Sequence, residues 1–250
     1  MPPEPLLRVT ALTKSFGALR ASDGVDIDVA PGELRAVIGP NGAGKSTLIN
    51  QLAGEIHPDS GTIRFLGHDV TDLAVDARAR AGLARSFQVT SILPGFTALE
   101  NAALAAQAHA GHSFRFWRRA ADERALRERA HRVLERVGLA ERADQAAGHL
   151  AHGEQRQLEL AMVLAGRPRL LLLDEPMAGL GPEEIGRLSA LLDTLRGEVG
   201  ILLVEHDMDV VFSLSDRITV LIFGRAIATG PPTEIRASAE VRRAYLGDAA

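Results

Sequence analysis

Residues 39–47 read Gly39-Pro40-Asn41-Gly42-Ala43-Gly44-Lys45-Ser46-Thr47, the pattern G-x-x-x-x-G-K-[ST], and no other stretch of the 250 residues constrains the fold as tightly. The segment follows the apolar run Ala36-Val37-Ile38 and precedes Leu48, Ile49 and Leu52 at helical spacing. A strand that ends in such a loop and restarts as a helix turns successive backbone N–H groups toward one point, at the positive end of the helix. Glycines allow that wrap. The arrangement predicts a phosphate cradle over all nine residues, with Lys45 reaching the β- and γ-phosphates and Ser46 offering its hydroxyl to Mg²⁺.

Composition sharpens one point. Only two lysines, Lys14 and Lys45, occur among the 28 basic residues. A compact ammonium serves a tight phosphate loop as a point charge, where a forked guanidinium fits poorly. A lysine at this place in an arginine-biased chain points to a bound nucleoside triphosphate. The remaining composition, 46% hydrophobic and 24% charged, is that of a globular protein. A net charge of −4 carries no footprint for nucleic acid. Without cysteine there is no disulfide framework and no thiolate metal site. The opening Met1-Pro2-Pro3-Glu4-Pro5 lacks the order of a secretion signal. No apolar run approaches the roughly 20 residues that span a bilayer. Work at a membrane would therefore go through a partner.

Along the chain, the first 35 or so residues read as strands and turns, with Val25-Asp26-Ile27-Asp28-Val29 in strict alternation. From about Val75 to His149 helical periodicity dominates. Its clearest stretch is Arg118 to Val137, where Leu126, Ala130, Val133, Leu134 and Val137 share a face while Glu123/Arg127 and Glu128/Arg132 pair opposite. Acids interleave with those arginines, which marks a solvated face rather than a basic binding surface. From Gly153 onward helices alternate with apolar runs at 170–173 and 201–204. The pattern predicts an α/β fold, with a mainly parallel sheet, helices on both sides and a helical insertion in the middle.

The run Leu170-Leu171-Leu172-Leu173 ends in Asp174-Glu175-Pro176. Two carboxylates where a buried strand runs out, downstream of a phosphate loop, predict a Mg²⁺ partner in Asp174 and a partner for attacking water in Glu175. His206 follows a second such run, at the strand end where ligands gather in open parallel sheets. Gln88 and Phe16 carry no such signal by themselves.

Taken in order, these pieces resemble the ATP-binding subunits of ABC transporters over nearly the whole chain. The series comprises the loop at 39–47, Gln88, the signature segment Leu150-Ala151-His152-Gly153-Glu154-Gln155, Asp174-Glu175, the loop Ala178-Gly179-Leu180-Gly181-Pro182, and His206. The resemblance implies a P-loop NTPase with an ABC-type nucleotide-binding domain, an N-terminal antiparallel β subdomain and a helical insertion. It implies one domain over 1–250, with a catalytic lobe at about 1–87 and 166–250 and a helical subdomain at about 88–165. It further implies that ATP and Mg²⁺ are bound, with Phe16 stacking on adenine and Ser46, Gln88 and Asp174 serving the metal. Lys45, Gln88, Glu175 and His206 would carry the chemistry, while Ala151, His152, Gly153 and Glu154 would contact ATP held by a facing subunit.

Residues 150–161, Val204-Glu205-His206-Asp207-Met208 and Ala244-Tyr245-Leu246-Gly247 look like the ATPases of branched-chain amino acid importers, and the arginine-rich insertion around Phe114 to Arg132 like the longer of that system's two types. The partners implied are integral-membrane permeases, a second ABC ATPase in a homodimer or heterodimer, and indirectly an extracytoplasmic solute-binding protein. The implied place is the cytoplasmic face of the inner membrane, peripherally bound. A soluble ABC ATPase in cofactor assembly, of the iron–sulfur cluster type, is the alternative. A chromosome or nucleic-acid ATPase is disfavoured by the single short insertion. Two departures from the general family stand out: Ala151 replaces the signature serine, and Gly181 stands at about the place of an aspartate. Both look typical of the branched-chain group that the chain resembles.

Overall fold

The computed structural model describes residues 4–86, 92–108 and 124–243. Two compact units emerge: Met1–Leu83 with Arg169–Glu175 and Leu192–Ala250, and Ala84–Pro168 with Pro176–Leu191.

The first unit holds two sheets. Strands β1 (Leu7–Phe16), β2 (Leu19–Val29), β4 (Ser60–Phe65) and β5 (His68–Asp69) form an antiparallel sheet in the order β2-β1-β4-β5. Its register sets Leu7 opposite both Val29 and Phe65, and Val9 opposite Ile27 and Ile63. The period-two alternation therefore puts all six on one buried face. The second sheet runs β10-β9-β3-β8-β7-β6, where β3 is Leu34–Ile38, β6 Leu83–Arg85, β7 Leu170–Asp174, β8 Gly200–Val204, β9 Arg217–Ile222 and β10 Arg225–Gly230. Strands β3, β7, β8 and β9 are parallel, and β10 returns antiparallel along β9. Every residue of β3, β7 and β8 is buried, which is why 36–38, 170–173 and 201–204 within them read as apolar runs.

Helix α1 (Lys45–Ala53) lies between the sheets, and its Leu48, Ile49 and Leu52 join one core with Val9, Ile63, Leu172 and Leu202. Its C-terminal end is closed by an arginine. Arg78, on α2 (Val75–Ala81) and fully buried, donates from Nη1 to the carbonyls of Gln51 and Leu52, each at 2.7 Å, from Nη2 to Thr71 at 2.7 Å and from Nε to Leu73 at 2.9 Å. A cation on terminal helix carbonyls answers both their unmet hydrogen bonds and the helix dipole. On the outer side, α7 (Met208–Leu214), α8 (Pro232–Ala237) and α9 (Ala239–Val241) give Val211, Ile235 and Val241 to a second core with Ala36, Ile38, Ile218 and Val220.

In the second unit α3 (Ala98–Ala108) packs on α4 (Arg124–Arg136) and α5 (His152–Ala165). Leu126, Ala130, Val133 and Leu134 form the buried stripe of α4, as their spacing predicts. Glu128 takes Arg124, one turn before it, as its partner at 2.8 Å. Glu123, of the other expected pair, lies outside the described residues. Buried Asn101 accepts the Leu93 N–H at 2.8 Å and donates to the Thr97 carbonyl at 2.9 Å, fixing the turn ahead of α3. Helix α6 (Pro182–Leu195) starts with proline in its first turn and Glu183 and Glu184 behind it, as a helix N-terminus favours. Among the described residues no helix is long and apolar enough to cross a membrane.

Candidate nucleotide site

The loop from Gly39 to Thr47 is held from three sides. Gly39, Gly42 and Gly44 all have left-handed φ, at 156°, 79° and 100°. A Cβ on Gly39 would strike the Leu221 carbonyl, and one on Gly44 the carbonyl of Ala21. Glycine is required at both positions by the neighbouring strands as well as by φ. The Ala43 N–H closes the turn on the Pro40 carbonyl at 3.1 Å, and the Gly224 N–H, from the β9–β10 turn, reaches the Ala43 carbonyl at 3.0 Å.

Helix α1 begins with no side-chain cap and no acid in its first turn. Its free N–H groups meet no competing carboxylate on their own helix and remain ready for an external anion. Lys45, 6% exposed, donates to the carbonyls of Gly39 at 2.7 Å and Pro40 at 3.1 Å. Burial pushes its ammonium below the ordinary lysine range, and the carboxylates of Glu175 and Asp174 pull it back up.

Asp174 ends β7, paired in register with Val204, and is 5% exposed. Glu175 leaves the strand at φ 50°, a left-handed value that a glutamate does not adopt without a tertiary reason. Its N–H donates to the Val204 carbonyl at 2.8 Å, so the bend turns its side chain out of line with the strand. His206 follows β8, and its imidazole is largely exposed. Beneath it Glu205 is completely buried. The Oε2 of Glu205 accepts the His206 N–H at 3.0 Å and lies 3.8 Å from Nδ1. In the sequence Glu205 is one acid beside a histidine, and nothing local marks it as that residue's support.

The donor set suits Mg²⁺ and a nucleotide. No group of three or more metal-binding side chains occurs among the described residues. Ser46, exposed at the helix start, and Asp174 offer two hard oxygens. An ion that keeps water and takes phosphate oxygens asks for no more. Phe16 is 48% exposed, its ring open for stacking. Gln88 lies outside the described residues, as does Ala244-Tyr245-Leu246-Gly247.

The signature segment belongs to the second unit. Ala151 is the N-cap of α5 and has no side-chain acceptor to offer. Half of a capping box survives: Glu154 Oε2 accepts the Ala151 N–H at 2.9 Å, while its Oε1 takes Arg142 Nε at 3.3 Å. His152 opens the helix, and Gly153 backs onto the Glu184 carboxylate, which a Cβ there would push aside. Beside them lies a cavity of about 260 Å³ lined by Ala151, Gly153, Arg156, Leu180, Glu184 and Arg187.

The chain is similar to known proteins over nearly its whole length. A family profile described as ABC transporter matches residues 22–178, and one described as branched-chain amino acid ATP-binding cassette transporter matches 227–250. The high-affinity branched-chain amino acid transport ATP-binding protein BraF of Pseudomonas aeruginosa is 43% identical over 254 residues, covering 98% of this chain and 99% of its own. The protein of the same description named LivG, from Escherichia coli K12, is 42% identical over 256 residues, with the same coverage. Among solved structures, the ADP conformation of an ATP-binding cassette of an ABC transporter superposes with a TM-score of 0.86 at 30% identity, over 98% of this chain and all of that one. A nucleotide-free cassette does so at 0.83, also at 30% identity, over 95% and 97%.

Proposed function

This chain belongs to the ABC transporter family as one of its transport ATPases, and from that premise we propose that it hydrolyses ATP to energise an importer of branched-chain amino acids. The hydrolytic part rests on one observation, that a glycine loop runs into α1 with Lys45 buried at its start, while Asp174 and Glu175 stand where the buried strand β7 runs out against Val204 of β8. The import part rests on likeness to transport proteins over 98% of the chain, which displaces the soluble assembly alternative.

In this reading residues 39–47 wrap the phosphates, and Lys45 turns from the Gly39 and Pro40 carbonyls to the β- and γ-oxygens. Ser46, Asp174 and Gln88 would hold Mg²⁺, which would supply neutralising charge to those oxygens. Glu175 orients water and accepts its proton as oxygen attacks the γ-phosphorus and the bond to the bridging oxygen breaks. His206, steadied by Glu205, donates to the γ-phosphate. Phe16 carries the adenine. Ala151, His152, Gly153 and Glu154 serve ATP held by a second ABC ATPase, a copy or a paralogue. The chain is one domain of two lobes, docked on permeases at the cytoplasmic face of the membrane and supplied indirectly by a solute-binding protein.

Affinity purification from detergent-solubilised membranes of the native host tests this. Recovery of two polytopic membrane proteins and an ATPase supports it. Recovery of soluble assembly factors alone overturns the import reading and leaves the ATP chemistry intact.

A further inference from the structure

Lys14 is the one lysine of the chain besides Lys45 of the phosphate loop. It lies two residues before Phe16, and its Nζ stands over the Phe16 ring, 5.8 Å from the centroid. The same Nζ donates to Asp59 Oδ1 at 2.7 Å. Asp59 Oδ2 accepts the Ser15 N–H at 2.7 Å, and the Asp59 N–H donates to the Thr13 carbonyl at 2.8 Å. One aspartate, in the turn ahead of β4, therefore grips residues 13, 14 and 15 in succession. The β1–β2 register shifts between Lys14 and Ser15 at this point. The direction in which Phe16 leaves that irregular strand end depends on the Asp59 contacts.

Lys14 is only 19% exposed in its side chain, against 48% for Phe16. A cation thus stands over the ring while about half of the residue stays open. A cation draws π density toward itself, and the far face becomes a better platform for an electron-rich purine. We propose that Lys14, fixed by Asp59, is a positioning residue for the nucleotide base, holding and polarising the Phe16 ring so that a purine stacks on its open face. This rests on the reading of Phe16 as the base platform.

The test compares ATP with inorganic tripolyphosphate, which carries the phosphates without a base, by calorimetry on the full chain. Lys14→Met and Lys14→Gln weaken ATP about three- to fivefold, the size of one exposed cation–π contact, and leave tripolyphosphate unchanged. Lys14→Arg restores ATP binding, and Asp59→Asn acts in the same direction as Lys14→Met. Lys14→Gln keeps a donor for Asp59, so it tests the charge even where Lys14→Met does not fold. An equal loss for both ligands would make Lys14 a structural staple and overturn the proposal. A wild-type ratio in the Lys14 variants, with Phe16→Ala lowering it, overturns the proposal and leaves Phe16 as the platform. An unchanged ratio in Phe16→Ala overturns both.

Discussion

The Oε2 of Glu184 accepts the N–H of Gly181 at 2.9 Å. The same carboxylate occupies the space that a side chain at Gly153 would need. One residue of α6 thus ties the loop after Glu175 to the start of the signature helix. Charge-assisted bonds of this kind contribute about 1.5–3 kcal/mol. We expect Glu184→Ala to lower hydrolysis by the assembled complex about tenfold while ATP binding to the isolated chain holds. Steady-state turnover and nucleotide titration check it. A loss of ATP binding by the isolated chain would contradict the assignment.

Glu175→Gln separates binding from chemistry. Glutamine copies glutamate in size and tolerates φ 50° no worse, so the bend and its 2.8 Å bond to Val204 persist. The amide cannot take a proton from water. Turnover falls about 10²- to 10⁴-fold, the range of a general base, and ATP affinity stays. Single-turnover hydrolysis with radiolabelled ATP reads this directly, and a wild-type rate would sink Glu175 as the base.

Much of this architecture was legible because a single physical cause dictated it. Burial on both faces makes 36–38, 170–173 and 201–204 read as apolar runs, and the glycine loop between strand and helix permits few other readings. What stayed hidden depends on residues far apart in sequence. Arg78, amid Arg80 and Arg85, reads as a surface cation, yet the carbonyls of α1 hold it fully buried. Glu184 reads as an acid favouring its own helix start, until Gly181 and Gly153 are brought against it. The left-handed turn at Glu175 follows from β7–β8 register, which no local pattern encodes.

Asp23 predicts an acid limit for the phosphate loop. Its carboxylate takes Arg225 Nε at 2.6 Å and Arg20 Nη1 at 2.8 Å, and its N–H reaches the Gly224 carbonyl at 2.8 Å. Gly224 in turn holds Ala43. The two arginines, Arg225 first, keep the Asp23 carboxyl below its ordinary 3.8. A carboxyl depressed in the folded state binds fewer protons there than when unfolded. Its stabilisation is therefore complete above 3.8 and fades as pH falls through the depressed value. Asp23→Asn should flatten the acid limb of a thermal-melt series below that pH without altering the neutral limb's slope. An unchanged acid limb would remove Asp23 from the account.

Glu205 carries the last prediction. It has no exposed surface, and its Oε2 accepts the His206 N–H at 3.0 Å with Nδ1 at 3.8 Å. Glu205→Ala leaves that N–H without its acceptor and opens a void, which costs about 2 kcal/mol and lowers the melting temperature by about 4–8 °C for a chain of this size. Glu205→Gln keeps the shape and an acceptor oxygen, so the melting temperature stays within about 4 °C. It removes the negative charge beside the imidazole. If Glu205 steadies His206 through that charge, turnover in Glu205→Gln drops about tenfold with ATP affinity unchanged. Melting curves and turnover measured on the same preparations distinguish the two effects. A Glu205→Gln protein with wild-type turnover would make Glu205 a packing residue and leave His206 positioned by its backbone alone.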